Sequence, residues 1–104
     1  MSTVVRGRLR DGRDAPVVGE RVEQLVALGP STRVEQILSG ELETPIEFEQ
    51  DQDEWVVVLA GRAALDVDGE QIDLFDGEWL LLPAGVRHRL LRTSPGTSWL
   101  AVHA

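Results

Sequence analysis

Two side chains of this sequence have the chemistry of a functional site, the carboxylate of Glu54 and the imidazole of His88. Together such groups can bind a divalent metal ion, or they can act as a general acid and base. The chain has two histidines and no cysteine, so thiolate metal sites and a cysteine nucleophile are excluded. It also lacks a glycine-rich phosphate loop and a GxSxG motif. Glu54 and His88 are therefore the candidate catalytic residues.

The residues that lead to His88 have a regular spacing. Gly77 is followed by five residues, Pro83, one residue, Gly85, two residues and then His88. This string resembles the second motif of the cupin family, GxxxxxPxGxxH, at each fixed position up to the histidine. The family closes this motif with an asparagine, and Arg92 stands at that position here.

The residues around Glu54 resemble part of the first cupin motif. Six residues separate Glu54 from Gly61, as in the family. The family also has a His-x-His pair three or four residues before the glutamate, and with the shorter gap that pair falls on Phe48 and Gln50. The histidine pair that normally completes the family's metal site is therefore absent.

The resemblance implies an all-β fold, namely a cupin-type jelly-roll antiparallel β-barrel. We expect one domain over residues 1–104, with the two motif regions at 46–61 and 77–92. The resemblance also implies that Glu54 and His88 both point into this barrel.

Strand alternation extends the inner face beyond these two residues. Side chains two positions apart lie on the same face of a strand, so Arg92 is expected inside with His88. By the same rule Phe48 and Gln50 share the inner face of their own strand. We interpret Phe48, Gln50 and Arg92 as ligand-binding residues.

The lumen can be read with or without a metal ion. In the first reading one divalent ion (Zn, Mn, Fe or Ni) binds Glu54, His88 and, through its amide oxygen, Gln50. In the second the lumen is metal-free, and Glu54 and His88 bond to each other or to a ligand. A third reading makes His88 a structural core residue. The loss of two imidazoles removes most of the expected metal affinity and tilts the choice toward the metal-free state.

Arg92 and His103 also have more than one interpretation. A buried Arg92 needs a partner, which is either Glu54 or a carboxylate or phosphate of a ligand. Alternatively, Arg92 lies at the end of its strand and reaches solvent. We interpret His103 as structural.

Short apolar stretches alternate with turn residues along the whole chain, which is typical of an antiparallel sandwich or barrel. Asp68-Gly69 predicts a tight hairpin turn. No stretch predicts a helix. The candidate strands are Val4–Leu9, Arg21–Leu28, Arg33–Ser39, Ile46–Gln50, Trp55–Ala60, Ala63–Val67, Gln71–Leu74, Trp79–Leu82, His88–Thr93 and Ser98–Val102.

Composition excludes several classes of protein. The net charge of −8 repels polyanions and argues against a nucleic-acid partner. No apolar run is long enough for a membrane helix, and the start lacks a secretory signal, so we expect a cytoplasmic protein without a membrane partner. Trp55–Ala60 and Trp79–Leu82 are apolar on both faces, which predicts a homodimer that covers their outer faces.

The function that the sequence favours is a small cupin barrel that binds a small polar or anionic molecule in its lumen. A degenerate metal site on Glu54 and His88 could take part in that binding. The alternatives are a metal-dependent enzyme of the oxygenase or isomerase type and a non-catalytic structural or interaction module. Whether the chain is an enzyme stays open at this point.

Overall fold

The structure, a computed structural model, describes residues 3–104. One short 3-10 turn at Gly12–Asp14 precedes the strands. The strands are β1 Glu20–Leu28, β2 Thr32–Ser39, β3 Ile46–Phe48, β4 Glu54–Ala60, β5 Arg62–Val67, β6 Glu70–Phe75, β7 Trp79–Leu82, β8 His88–Thr93 and β9 Thr97–His103.

These strands form two sheets in which all neighbours run antiparallel. One sheet has the order β1-β2-β9-β4-β7, and the other has the order β3-β8-β5-β6. The apolar core lies between them, because both sheets contribute buried side chains to one cluster. The predicted all-β antiparallel architecture is confirmed.

Nine of the ten predicted strands are present, with bounds that differ by at most two residues. The strand predicted at Val4–Leu9 is wrong, because this segment joins no sheet and its residues are exposed. Among the described residues no strand pairs with this segment, although Arg6 and Arg8 alternate with smaller or apolar residues. After this segment the chain is bonded to the barrel at Arg10, whose backbone NH donates to the Gln36 side-chain oxygen at 2.8 Å.

Strand β4 illustrates how alternation builds the lumen. Glu54, Val56 and Val58 are buried, whereas Trp55 and Val57 between them are partly exposed on the outer face. The first set faces the other sheet because the core cluster contains Val56 and Val58. Glu54 is thus carried to the same interior by the strand's own periodicity.

The predicted turn between β5 and β6 is confirmed. Asp68 and Gly69 have φ angles of 50° and 89°. Positive φ at both central residues matches the right-handed twist of the two strands, and this is why an Asp-Gly pair suits the position.

Within residues 3–104 no helix has the length and apolar character needed to cross a membrane. The cytoplasmic location stays a prediction.

The backbone conformation at Gly61, which closes the first motif, and the close approach of Thr97 both require a glycine at this position. Its φ is 112°, and a Cβ atom there would lie 2.9 Å from the Thr97 Cα atom.

We expect Gly61→Ala to lower the free energy of unfolding by about 2–4 kcal/mol, because backbone strain and steric overlap with Thr97 add. Gly29→Ala is the matched control, since its φ is 73° and a Cβ would meet nothing within 4 Å. Urea unfolding of both variants tests this, and equal losses would contradict the role of Thr97.

Candidate functional site

A cavity of about 100 Å³ lies inside the barrel between the two sheets. Its polar lining consists of three carboxylates, two imidazoles and one amide, and the rest is apolar. The lining residues are Glu20, Val22, Glu35, Ile37, Phe48, Gln50, Glu54, Val56, Leu65, Leu82, His88, Leu90, Trp99 and His103.

Glu54 is the central polar group of this cavity. It is the first residue of β4 and is only 6% exposed. The Gln50 side-chain amide donates to Glu54 Oε1 at 3.0 Å. His88 Nε2 lies 3.6 Å from the same oxygen, and His103 Nε2 lies 3.6 Å from Oε2. One buried carboxylate therefore faces two imidazoles and an amide, and the predicted convergence of Glu54 and His88 in the lumen is present.

The ring of His88 is held in place from two sides. His88 begins β8 and pairs with Phe48 on β3 and with Val67 on β5. Its ring stacks on that of Phe48 with the centroids 5.3 Å apart and an interplanar angle of 16°. Its Nδ1 lies 3.4 Å from the Val86 carbonyl oxygen, a long contact. The stacking leaves Nε2 directed toward Glu54.

His103 is a site residue that sequence reasoning missed. It is 3% exposed and lines the cavity, where its Nε2 lies 2.9 Å from Glu35 Oε1. Since that oxygen is an acceptor, Nε2 carries the proton in the neutral ring, and Nδ1 has no partner among the described residues. The available signal was the alternation of Trp99, Ala101 and His103, which puts all three on one face of the last strand.

The buried charges shift the acidity of these groups. Burial, followed by the negative charge of Glu35, raises the pKa of Glu54 to about 7. Burial lowers the pKa of His88, and burial together with Arg33 lowers the pKa of His103. Near neutral pH the Glu54 carboxyl can therefore gain or lose a proton, while both imidazoles are mostly neutral.

The comparisons with known proteins agree with this geometry. A family model described as cupin domain matches residues 33–103. The chain is a cupin. No curated protein matches it.

Solved cupin structures resemble the chain over most of its length. A candidate mannose-6-phosphate isomerase from Ralstonia eutropha JMP134 has 32% identity and a TM-score of 0.78, and the match covers 94% of this chain and 98% of that one. A protein of unknown function from Rhizobium leguminosarum bv. viciae 3841 has 19% identity and a TM-score of 0.71, over 98% and 96% of the two chains. The EutQ protein of Clostridium difficile has 20% identity and a TM-score of 0.65, over 81% and 66%. The last two show the fold alone, and the predicted cupin-type jelly roll is confirmed.

The residues of this cupin do not fit the divalent metal of its family. The four family ligand positions hold Phe48, Gln50, Glu54 and His88. The Phe48 ring has no donor atom and covers His88, and the Gln50 amide nitrogen points at Glu54 as a hydrogen-bond donor. Within residues 3–104 no group of three or more His, Asp or Glu side chains could hold a metal ion. Among the predicted metal ligands, Gln50 donates to Glu54 at 3.0 Å, and His88 Nε2 lies 3.6 Å from the same carboxylate. A metal site on these three residues stays a prediction.

The inward position expected for Arg92 is wrong. The residues of β5 pair with Leu90 and Arg92 but skip Leu91, so β8 has a bulge at this point. A bulge adds one residue and reverses the alternation beyond it. Arg92 is consequently exposed and outside the cavity, and Thr93 is buried in its place. Phe48 and Gln50 do line the cavity, as alternation predicts.

Glu54→Gln provides a test of the buried carboxylate. A carboxyl whose pKa is raised by folding stabilises the fold below its unfolded pKa, and this contribution is lost as pH rises through the folded pKa. Relative to wild type, the variant should therefore gain stability between about pH 4.5 and about pH 7, by up to about 3 kcal/mol.

Urea unfolding at several pH values measures this difference. The lowered pKa values of His88 and His103 act on both proteins and largely cancel in the comparison. Glu70→Gln, at an exposed position of β6, is the control and should show a flat difference. A flat profile for Glu54→Gln as well would contradict the raised pKa of Glu54.

Proposed function

We propose that this cupin binds a compact polar molecule in its lumen without a divalent metal ion. The observation that supports the proposal is the cavity beside Glu54, His88 and His103, whose polar atoms converge on one buried space. A lumen filled by side chains would have favoured the interaction-module alternative. A space with converging polar groups favours a binding site.

The size of the cavity limits the ligand. At about 100 Å³ it is smaller than the roughly 300–1,000 Å³ of pockets that enclose drug-sized ligands. A ligand of only a few non-hydrogen atoms fits this space. The apolar part of the lining suits a short hydrocarbon portion, and the Glu54 cluster suits its polar group.

The negative charge of the cavity lining argues against a phosphate-bearing ligand. The candidate mannose-6-phosphate isomerase is named for a sugar phosphate. Among the described residues no arginine lines the present cavity, and Arg92, the expected anion partner, lies outside it. A phosphate surrounded by three glutamates would be repelled. We therefore infer that the ligand is polar and not anionic.

Proton transfer is a second candidate function, favoured by the pKa of Glu54 near 7. An acid and base of this strength is effective near neutral pH because it can both take up and release a proton. In this role Glu54 would exchange a proton with a bound substrate, and the Gln50 amide, which donates to Glu54 at 3.0 Å, would stabilise the carboxylate that forms. Such chemistry is that of an isomerase and needs no group beyond the chain's own side chains.

Titration of labelled protein with small neutral polar probes, such as acetamide and ethylene glycol, tests the binding function. We expect backbone amide NMR shifts on β4, β8 and β9, and His88→Phe should weaken binding by about tenfold because a buried polar partner is lost. Phe keeps the stacking on Phe48. Arg92→Gln is the control and should leave binding unchanged.

Elemental analysis of the same samples addresses the metal. We expect less than one divalent ion per chain, and no loss of thermal stability with a chelator. One metal ion per chain, lost in His88→Phe, would contradict the proposal. The proposal would also be contradicted if none of the probes shifted the backbone amide signals of the lumen.

We also propose that a second copy of the chain covers the outer face of β4 and β7. Trp79 and Leu81 are 60% and 56% exposed there. The ring centroids of Trp79 and Trp55 are 6.2 Å apart. The outward side chains of this face are uncharged, so two copies that each carry a net charge of −8 can meet here without direct repulsion. Exposed aromatic side chains on such a face are typical of an interface.

Light scattering at micromolar concentration tests the dimer. We expect twice the chain mass for wild type and a monomer for Trp79→Glu, since a buried unpaired charge would oppose association. Leu28→Glu alters an equally exposed leucine at the end of β1 and should stay dimeric. A monomeric wild type would overturn the proposal.

A further inference from the structure

We propose that the lumen selects a compact organic cation, such as an alkylammonium or amidinium ion. This inference rests on the proposed binding function and names the charge class of the ligand. Its basis is the count of charges and of hydrogen-bond donors and acceptors around the cavity.

Three carboxylates from three different strands line one cavity. Glu20 lies on β1, Glu35 on β2 and Glu54 on β4. Glu20 accepts a hydrogen bond from the Ser39 hydroxyl at 2.6 Å, and Glu54 accepts one from Gln50. Glu35 accepts one from His103 and a second, at 3.3 Å, from Arg33 Nε. These bonds fix the carboxylates in place, and of these donors Arg33 alone carries a positive charge.

The chain provides little compensating charge. Arg33 pairs with Glu35 at 3.3 Å, from a position where its side chain is 39% exposed. For Glu20 and Glu54, no arginine among the described residues lies within ion-pair distance. Buried carboxylates without counter-ions are unfavourable, and burial raises the pKa of both groups. A cationic ligand would supply the missing charge.

The hydrogen-bonding pattern leads to the same ligand. Carboxylate oxygens only accept, and the buried Nδ1 of His103 is an acceptor that has no partner among the described residues. Two donors of the site are already engaged, since His103 Nε2 faces Glu35 and one N–H of the Gln50 amide faces Glu54. The complementary molecule must therefore donate several hydrogen bonds. Ammonium and amidinium groups do so and accept none.

The apolar wall favours an organic ion over a hydrated one. Phe48, Trp99 and Leu65 line the cavity beside the carboxylates. A short alkyl group gains by contact with them, and an aromatic face attracts a cation. A hydrated divalent ion has neither contact available.

Three molecules of nearly equal shape separate charge from size. Acetamidinium is a cation, acetamide is neutral and acetate is an anion. We would titrate each into the protein at about pH 8, where the model-peptide carboxyl is ionised and Glu54 is mostly so. Amide NMR shifts give the affinities. We expect acetamidinium to bind at least about tenfold more tightly than acetamide, because its hydrogen bonds to carboxylates are charge-assisted. Acetate should not bind.

Variants localise the effect. Glu35→Gln should weaken acetamidinium binding by about tenfold or more, and by a larger factor than it weakens acetamide binding, because only the cation loses an ion pair. Glu70→Gln, at an exposed site, should change neither. The amide spectrum of each variant, recorded without ligand, shows whether it is folded. Should Glu35→Gln fail to fold, Glu20→Gln carries the same expectation.

The outcomes distinguish the two proposals. If acetamide binds as tightly as acetamidinium, the cation inference is overturned and the lumen still binds a polar molecule. If no probe shifts the lumen amides, both are overturned. If Glu70→Gln lost as much acetamidinium binding as Glu35→Gln, the effect would come from net charge, and the proposed cation site would be overturned. If magnesium or manganese at equimolar concentration displaced acetamidinium, the inference of an organic ligand would be overturned.

Discussion

The burial of one carboxylate, Glu54, is the constraint on which the arrangement of the lumen depends. A carboxylate that leaves water loses more free energy of hydration than two neutral hydrogen bonds return. The chain supplies one amide donor from Gln50 and two imidazoles at 3.6 Å, and none of these is a full positive charge. The site is therefore incomplete in electrostatic terms, and the raised pKa of Glu54 is the direct result.

The replacement of two family histidines changes the chemistry of the lumen while the barrel is retained. Phe48 contributes a ring that stacks on His88, and Gln50 contributes a donor that faces Glu54. Both residues thus contact the remaining polar groups and fix their orientation. A metal-binding lumen and an acid-base lumen can share one scaffold because the strands set positions, whereas the side chains at those positions set reactivity.

The fold and half of the site could be predicted from the sequence. The motif spacing around Glu54 and His88 was sufficient to place both in the lumen, and the Asp68-Gly69 turn followed from local backbone preference. The roles of Glu35 and His103 could not be predicted, because their contact depends on which strands are neighbours across the sheet. Arg92 was misplaced because the sequence of β8 does not indicate the one-residue bulge at Leu91. The unpaired Val4–Leu9 segment shows the same limit, since alternation predicts a strand but not a partner for it.

The inner face of the five-stranded sheet is largely apolar but carries three carboxylates at the cavity, and their position has a functional consequence. Its inner face carries Glu20, Glu35 and Glu54, whereas the outer face of β4 and β7 is apolar and includes exposed Trp79. In most small proteins glutamate side chains lie on the surface. Charged groups kept in an interior at a cost in stability are usually there for a ligand or a reaction. Because a ligand that relieves their repulsion binds the folded state alone, its binding free energy adds directly to the stability of the barrel.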